Sequence, residues 1–243
     1  MIQWQSFNKK IYRSRYRLLL YALLLTVFGD LFFPIEDWIY YTYFRPLWLL
    51  LTVLAGWNLV HRNRQKNLIY KSLLIILTIG ELINIIIPLE QLNILKQLAY
   101  LVFFITFSLE LFHQVRSTTK VSSSIITAVL CGLIILGIAG GIGAMIIESV
   151  TPDSFEGNLT GDKIADFQYF SFITLTTVGF GDIIPVTVYA KKYTILMTLI
   201  GNFYSIVIVG IIIGKFTSST IKDEEHTLNK LPTKIDQELE DKD

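Results

Sequence analysis

The chain has 243 residues, of which 52% are hydrophobic and 17% charged, and its 21 basic side chains nearly balance 20 acidic ones. This composition is more apolar than that of a soluble domain and indicates a membrane protein. The near-zero net charge, with basic residues in short clusters, argues against a nucleic-acid partner. The single cysteine, Cys131, excludes a disulfide framework and a cysteine-based metal site.

The apolar residues gather in blocks long enough for bilayer-spanning helices, which need roughly 20 residues. In chain order the six predicted spans are Tyr16–Phe33, Trp38–Val60, Leu68–Ile87, Leu92–Phe112, Ile125–Ile147 and Tyr193–Phe216. Arg45 and Pro46 interrupt the second, so its helix is predicted to begin at Pro46, after an interfacial aromatic stretch. The basic segment before the first span predicts a signal anchor that is retained.

Charged residues at the ends of the spans predict their orientation. Basic residues precede span one, lie between spans two and three and between spans four and five, and follow span six. Acidic residues gather at the alternate junctions, with Lys191 and Lys192 as the exception. By the positive-inside rule, we expect an integral protein of the plasma (inner cell) membrane with both termini in the cytoplasm.

The connection between spans five and six is long and contains a second apolar stretch, Ile164–Leu175, that is too short to cross the bilayer. We interpret it as a re-entrant helix. Irregular backbone at membrane depth is tolerated only where protein buries it or water lines it. The residues that follow this short helix are therefore predicted to face a pore.

Those residues read Thr176-Thr177-Val178-Gly179-Phe180-Gly181-Asp182. The run closely resembles the selectivity-filter signature of potassium channels, and the resemblance extends over Ile125–Phe216. The chain is thus similar to six-transmembrane, tetrameric potassium channels of the prokaryotic type. The physical logic agrees, because a strand whose carbonyls all point inward must alternate ordinary and left-handed dihedrals. Glycine adopts the left-handed region without a Cβ penalty.

The resemblance implies a role for each residue of the run. The filter residues would be Thr177, Val178, Gly179, Phe180 and Gly181, with K⁺ bound at the first four. The Thr177 hydroxyl would add an oxygen layer, Val178 and Phe180 would face away from the ion and pack against the short helix, and Asp182 would mark the outer mouth. Acids of the outer loop would raise the local cation concentration. A ring needs several copies, and the resemblance implies a homotetramer in membrane lipid, with K⁺ as permeant ion and no cofactor.

Three positions depart from the pattern of this family. Many members have Trp and Tyr hydrogen bonds behind the filter, but the matching positions here are Phe170 and Phe180, which carry no donor. Ile173 stands where some members carry an acid. Fewer hydrogen bonds would then support the filter, which predicts outer-pore instability at low external K⁺.

Span six contains candidates for a gate. Gly201 stands nineteen residues after Asp182, the offset of a hinge glycine in similar channels, so hinging and close packing both remain open for it. For Gly210 and Gly214 close packing is the favoured interpretation, although Gly210 is also a gate candidate. Ile206, Val209 and Ile213 could form an apolar constriction that closes by dewetting. In span five, Gly137 and Gly141 form a small-xxx-small pair, which predicts packing against span six and the short helix.

The fourth span argues against a voltage sensor. It carries only Lys96 and Glu110, and no arginine before Arg116, whereas sensing needs several regularly spaced positive charges. Steep voltage dependence is therefore not expected. Four polar residues also lie at predicted membrane depth: Asp30, Arg45, Glu81 and Asn84. We regard these as intrabundle or interfacial groups, with Asp30 and Arg45 as the candidate ion pair.

The sequence thus predicts an all-α membrane protein with a peripheral four-helix module (1–116), a pore module (117–216) and a cytoplasmic tail (217–243). Pro232 breaks the tail pattern, which predicts either a frayed helical extension or disorder. The predicted function is passive, potassium-selective conduction, which is not an enzymatic activity. Three alternatives stay open: a weakly selective channel, a potassium transporter subunit with related pore loops, and a non-conducting regulatory partner.

Overall fold

A computed structural model describes residues 15–32, 39–60, 72–73, 75–80, 90–118 and 123–240. Six long helices follow in chain order: α1 (Arg15–Phe32), α2 (Arg45–Val60), α3 (Glu90–Ser117), α4 (Ser123–Val150), α5 (Lys163–Leu175) and α6 (Val188–Glu240). A π-helical turn, Tyr40–Phe44, leads directly into α2. Two short strands, β1 (Phe155–Gly157) and β2 (Ile183–Pro185), pair on either side of α5. The helical prediction is confirmed, apart from this small antiparallel sheet.

Three of the described helices are long and apolar enough to cross a membrane: Asn93–Ser117, Ser124–Val150 and Val188–Gly214. They correspond to predicted spans four, five and six. The helix Arg45–Gly56 is apolar but shorter. Of the third predicted span, only residues 72–73 and 75–80 are described, and they are helical. Glu81 and Asn84 lie outside the described residues.

The helices α1, α2 and α3 form the peripheral half of the molecule. α1 packs against α2 and α4, and α3 packs against α4. The core of this half is aromatic, because α3 buries three phenylalanines in succession along one face. The rings of Phe103 and Phe107 stack with centroids 5.7 Å apart, and Phe104 meets Phe103 edge-on at 5.3 Å. Offset and edge-on arrangements of this kind are the favourable geometries for aromatic pairs.

The other half contains α4, α5 and α6 and is called the pore side below, after the predicted pore module. In it, α4 packs against α5 and α6 through its glycines. A Cβ at Gly137 would overlap the ring of Phe172, and one at Gly141 would press on the backbone of Gln168. Both contacts are with α5. At Gly143 a Cβ would meet the hydroxyl of Tyr193 on α6. The prediction that Gly137 and Gly141 permit close packing is confirmed.

The glycines of α6 differ from one another. Gly201 is buried, and a Cβ there would overlap the carbonyl oxygen of Leu175 at the end of α5. A Cβ at Gly210 or Gly214 would meet nothing within 4 Å. Gly210 and Gly214 thus make no close contact within one chain, and their packing role stays a prediction, whereas Gly201 sits at a backbone-to-backbone contact.

The last helix does not stop at the predicted end of span six. α6 runs for 53 residues and ends at Glu240. Of the two alternatives for the tail, the helical extension is the one observed. The predicted break at Pro232 is wrong, because this residue lies inside the helix.

Candidate functional site

The N-terminus of α5 is capped by Asp162. Its Oδ1 accepts hydrogen bonds from the backbone amides of Ile164 and Ala165, at 3.1 and 3.4 Å. Aspartate is among the preferred N-cap residues because its carboxylate satisfies amides that have no partner within the helix. The start of α5 is thus fixed by a residue of the preceding loop.

Arg45, at the start of α2, forms a two-pronged ion pair with the same carboxylate. Its Nη1 and Nη2 donate to Oδ1 and Oδ2 of Asp162 at 3.0 and 2.7 Å. The predicted pair between Arg45 and Asp30 is wrong: Asp30 is exposed and accepts from the amide of Leu31. The two partners are 117 residues apart in the sequence, so no local sequence pattern indicates this ion pair.

The ion pair changes the titration of Asp162. Burial by itself raises the pKa of this carboxyl, but the hydrogen bonds and charge of Arg45, with the two capping amides, outweigh burial. The net pKa lies below the ordinary value of 3.8. Asp162 is consequently ionised at neutral pH, and the ion pair is intact there.

Other acids of the outer loop also have structural roles. Asp166 is buried and accepts from the hydroxyl of Thr160 at 2.7 Å and from the amides of Thr160 and Gly161. Glu148 accepts from the amide of Ser154 at 3.0 Å. These acids were predicted only to attract cations. The structure shows that they also hold the loop against α4 and α5.

The two strands join the outer loop to the segment that follows Gly181. In their register Phe155 faces Pro185 and Gly157 faces Ile183. Directly beyond the pair, the amide of Asn158 donates to the carbonyl of Asp182 at 2.9 Å. The loop before α5 therefore fixes the backbone at the outer end of the segment 176–182.

At its other end this segment is attached to the C-terminus of α5. The amides of Val178 and Gly179 both donate to the carbonyl of Ile173, at 2.9 and 3.1 Å, and the amide of Thr177 donates to Thr174 at 3.1 Å. The last carbonyls of a helix have no partner within the helix itself. Here the segment supplies those partners, which fixes the point where it leaves α5.

The backbone of the segment alternates as the sequence predicts. Thr177, Gly179 and Gly181 have φ angles of 61°, 53° and 77°, whereas Val178 and Phe180 are not in the left-handed region. The two glycines adopt this region without steric penalty. Thr177 was not predicted to do so, and a non-glycine residue there costs about 1–3 kcal/mol. The hydrogen bonds to α5 hold it in place.

The side chains of Val178 and Phe180 are 54% and 71% exposed within one chain, so packing against the short helix does not bury either of them. Phe170 also lies elsewhere than expected. It is buried beneath the outer loop, where its ring meets Phe155 edge-on at 5.1 Å.

Tyr169 supports the outer end of the segment and was missed by sequence reasoning. Its hydroxyl donates to Oδ2 of Asp182 at 2.6 Å, while Oδ1 accepts from the amide of Ile183 at 3.1 Å. The predicted lack of a donor concerns Phe170 and Phe180 alone, and Tyr169 supplies a phenolic hydroxyl at the outer end of the segment. The available signal was that Tyr169 is the one aromatic residue of α5 with a hydrogen-bond donor.

The apolar gate candidates lie on α6. Ile206, Val209 and Ile213 are exposed and share one face of the helix, as their spacing predicts. The opposite face, with Gly201 and Ile208, is buried. The three apolar side chains are thus free of contacts that would bury them within the chain.

Comparison with known proteins singles out the same half of the molecule. Residues 132–218 match the Ion_trans_2 family, described as an ion channel. A two pore potassium channel c of Oryza sativa subsp. japonica is 39% identical over 77 residues, which are 30% of this chain and 16% of that protein. Two-pore potassium channel 5 of Arabidopsis thaliana is 30% identical over 100 residues, or 41% of this chain and 23% of that protein.

The match spans most of α4, all of α5, the segment 176–182 and α6 as far as residue 218. The chain covers less than a quarter of the length of either plant relative. Together with the apolar helices, these similarities indicate an integral membrane ion channel, and not an enzyme. The family match does not extend to α1–α3.

Proposed function

We propose that this chain is one subunit of a tetrameric, potassium-selective channel, and that residues 177–181 form its filter. The observation that carries the proposal is the alternation of left-handed φ angles at Thr177, Gly179 and Gly181, directly after a short helix between two candidate spans. The plant relatives, which are named as potassium channels, support the same ion.

In the proposed filter, backbone oxygens of Thr177, Val178, Gly179 and Phe180 replace the water shell of K⁺. The Thr177 hydroxyl adds a further oxygen layer. α5 is re-entrant, and the partly negative C-terminal end of its dipole favours a cation near the membrane centre. Asp182 lies at the outer mouth, where Tyr169 orients its carboxylate.

One chain supplies one such strand, so a closed ring requires several copies, for which cyclic symmetry is the usual solution. The exposure of Val178 and Phe180 supports this assembly, because apolar side chains beside a pore must be covered by something. A neighbouring subunit would supply that cover. We place four copies in the plasma membrane, each with six spans and with both termini in the cytoplasm.

The proposed gate lies on the exposed face of α6. Ile206, Val209 and Ile213 of four copies would form an apolar constriction that closes by dewetting. Gly201 would act as the hinge where α6 passes the end of α5, and Gly210 would let the helices approach below it. The basic residues of α3, apart from His113, are Lys96 and Arg116, so we do not expect steep voltage dependence.

Reversal potentials of the purified protein in planar bilayers, with K⁺ on one side and Na⁺ on the other, test the proposal. We expect a reversal potential close to the K⁺ equilibrium potential, and loss of this selectivity in Gly179→Ala. Gly161→Ala is the matched control, because Gly161 also has a positive φ, of 95°, but lies in the outer loop. The control should conduct and select as the unaltered protein does.

Each alternative predicts a different result. A reversal potential near zero would favour the weakly selective channel. A functional unit that contains one chain, established by subunit counting, would favour the transporter. Absence of barium-sensitive rubidium uptake into vesicles under any condition would leave only the regulatory partner.

A further inference from the structure

Most hydroxyl groups around the middle of α6 have partners within the chain. Tyr193 and Tyr204 donate to backbone carbonyls of α4. Thr194 and Thr198 donate to carbonyls one turn back within α6 itself. The chain therefore satisfies these polar groups at membrane depth without the help of water or of another subunit.

Asn202 and, one turn further on, Ser205 differ from these residues. Both are exposed, and neither side chain forms a hydrogen bond with any residue that the structure describes. A carboxamide can donate and accept at the same time, so Asn202 has the larger hydrogen-bonding requirement of the two. Something outside the chain has to meet this requirement.

Asn202 also lies in the middle of a candidate membrane span. The span runs over Val188–Gly214, so its central residue is Gly201. A polar side chain without partners costs free energy in hydrocarbon, and the cost is greatest near the centre of the bilayer. Lipid is thus an unfavourable environment for Asn202.

The same level of α6 adjoins the inner end of the segment 176–182. A Cβ at Gly201 would overlap the carbonyl oxygen of Leu175, the residue directly before this segment. Successive residues of a helix are rotated by about 100°, so Asn202 points away from this contact and towards the exposed side of α6. It is therefore placed just below the proposed filter.

Asn202 interrupts an apolar stripe on that exposed side. Residues at spacings of three and four share one face of a helix, and here they are Ile195, Leu199, Asn202, Ile206, Val209 and Ile213. At 1.5 Å per residue, the apolar part from Ile206 to Ile213 is about 10 Å long. With an apolar residue at position 202, the uninterrupted stripe would be about 27 Å long.

We propose that Asn202 keeps the pore hydrated directly below the filter and thereby confines closure by dewetting to Ile206, Val209 and Ile213. This inference rests on the proposed function, because the exposed faces of several α6 helices must surround one aqueous space. The carboxamides of the symmetry-related Asn202 residues bind water there, with the Ser205 hydroxyls beside them. Water stays at this level when the apolar constriction is dry, so a permeant cation loses its surrounding water only over the short stretch below Asn202.

Reaction of introduced cysteines with N-ethylmaleimide tests whether position 202 faces water. The reagent enters the bilayer, but it reacts with the thiolate, which forms in water and not in hydrocarbon. In the reconstituted full-length protein, Asn202→Cys should be modified at least about tenfold faster than Ile200→Cys, as measured by mass spectrometry. Ile200 is the matched control, because it is also exposed and lies at nearly the same depth on almost the opposite side of α6. The unaltered protein gives the background, since its single cysteine, Cys131, is buried.

Asn202→Leu tests the effect on closure. In planar bilayers it should lower the open probability about tenfold, the equivalent of one hydrogen bond, because dewetting can then spread up to the filter. Asn202→Ser keeps a group that binds water and should restore the open probability, which a merely structural role of Asn202 would not explain. Ile200→Leu is the control and should leave the open probability unchanged.

Two results would overturn the inference. One is equal or absent modification of Asn202→Cys and Ile200→Cys, in which case the Asn202 side chains of different copies hydrogen-bond to one another. The other is an unchanged open probability in Asn202→Leu. If the unaltered protein still carries a K⁺-selective current, the proposed function stands although this inference fails. If Asn202→Cys is modified rapidly but no selective current is observed, the proposed function fails and the hydrated face of α6 remains.

Discussion

The pore side and the peripheral half are each stabilised internally by a different kind of contact. On the pore side, glycines bring backbone against backbone or ring, as at Gly141 with Gln168 and Gly201 with Leu175. In the peripheral half, large side chains fill the space, as Phe103, Phe104 and Phe107 do. Side chains can repack after a substitution, but backbone cannot move without moving its whole helix. The geometry of the pore side is therefore the less tolerant of change.

This difference fits the roles proposed for the two halves. As a filter, the segment 176–182 would have to keep carbonyl positions that a shift of α5 would disturb, and α5 lies between α4 and α6 at glycine contacts. The peripheral helices reach this arrangement through α4 and through the ion pair of Arg45 with Asp162. They should influence stability strongly and selectivity little.

The largest effect is expected from loss of aromatic packing in the peripheral half. Phe107 is fully buried, and its ring lies against Gly56 and Phe103. Phe107→Ala should lower the free energy of unfolding by about 3 kcal/mol through the cavity it leaves. Denaturant titration in detergent measures this, with the exposed Ile105→Ala as control. The K⁺ over Na⁺ permeability ratio of the folded variant should not change; a lower ratio would contradict the separation of the two halves.

A smaller effect is expected at the contact between α6 and α5. Gly201→Ala should lower the free energy of unfolding by about 2 kcal/mol, because its Cβ overlaps the Leu175 carbonyl. Gly210→Ala is the control in the same helix, where the added methyl meets nothing and alanine favours the helix by up to about 1 kcal/mol. The same titration compares them. If the two variants were equally stable, the close contact at Gly201 would have no energetic weight.

The sequence predicted the pore side well because its signals are local. The apolar blocks predict both ends of α4 and the start of α6 to within a few residues, although α6 continues beyond the predicted end at Phe216. Gly179 and Gly181 predict the alternating backbone. The spacing of Gly137 and Gly141 is enough to predict which face of α4 packs closely against another helix. In each case the physical constraint is contained in a short stretch of chain.

Apart from the helix break predicted at Pro232, the errors concern contacts whose partners the local sequence does not specify. Nothing near Arg45 in the sequence points to Asp162, and the nearer acid, Asp30, was chosen instead. The exposure of Val178 and Phe180 was not predicted either, because the sequence of the segment does not indicate which surface these side chains contact. The hydrogen bond of Tyr169 was not predicted, because the family pattern points to Phe170 and Phe180 and not to this position.

The hydrogen bond from Tyr169 to Asp182 gives the third prediction. Tyr169→Phe should lose about 1 kcal/mol of support at the outer end of the segment. The expected result is faster decline of the current at low external K⁺, measured in bilayers by stepwise reduction of K⁺ on the outer side. Tyr189→Phe is the control, since Tyr189 is exposed at the start of α6. Steady currents in Tyr169→Phe would show that Asp182 is held adequately by its backbone.

The smallest effect is expected for the ion pair that joins the halves, and pH reveals it. Since the pKa of Asp162 is lowered in the folded protein, an unfolded chain takes up the proton first as the pH falls. The stability that the pair contributes is thus fully present above the ordinary pKa of 3.8 and is lost as the pH falls through the lower, folded value. Asp162→Asn isolates this contribution, because asparagine caps a helix as well as aspartate does. The variant should be about 0.5 kcal/mol less stable at pH 7, since solvent screens a half-exposed pair. This difference should vanish as the medium is acidified below pH 3.8, with the exposed Asp153→Asn as control. If the difference in stability between the variant and the unaltered protein stayed constant through this pH range, the loss of stability would not come from the charge of Asp162.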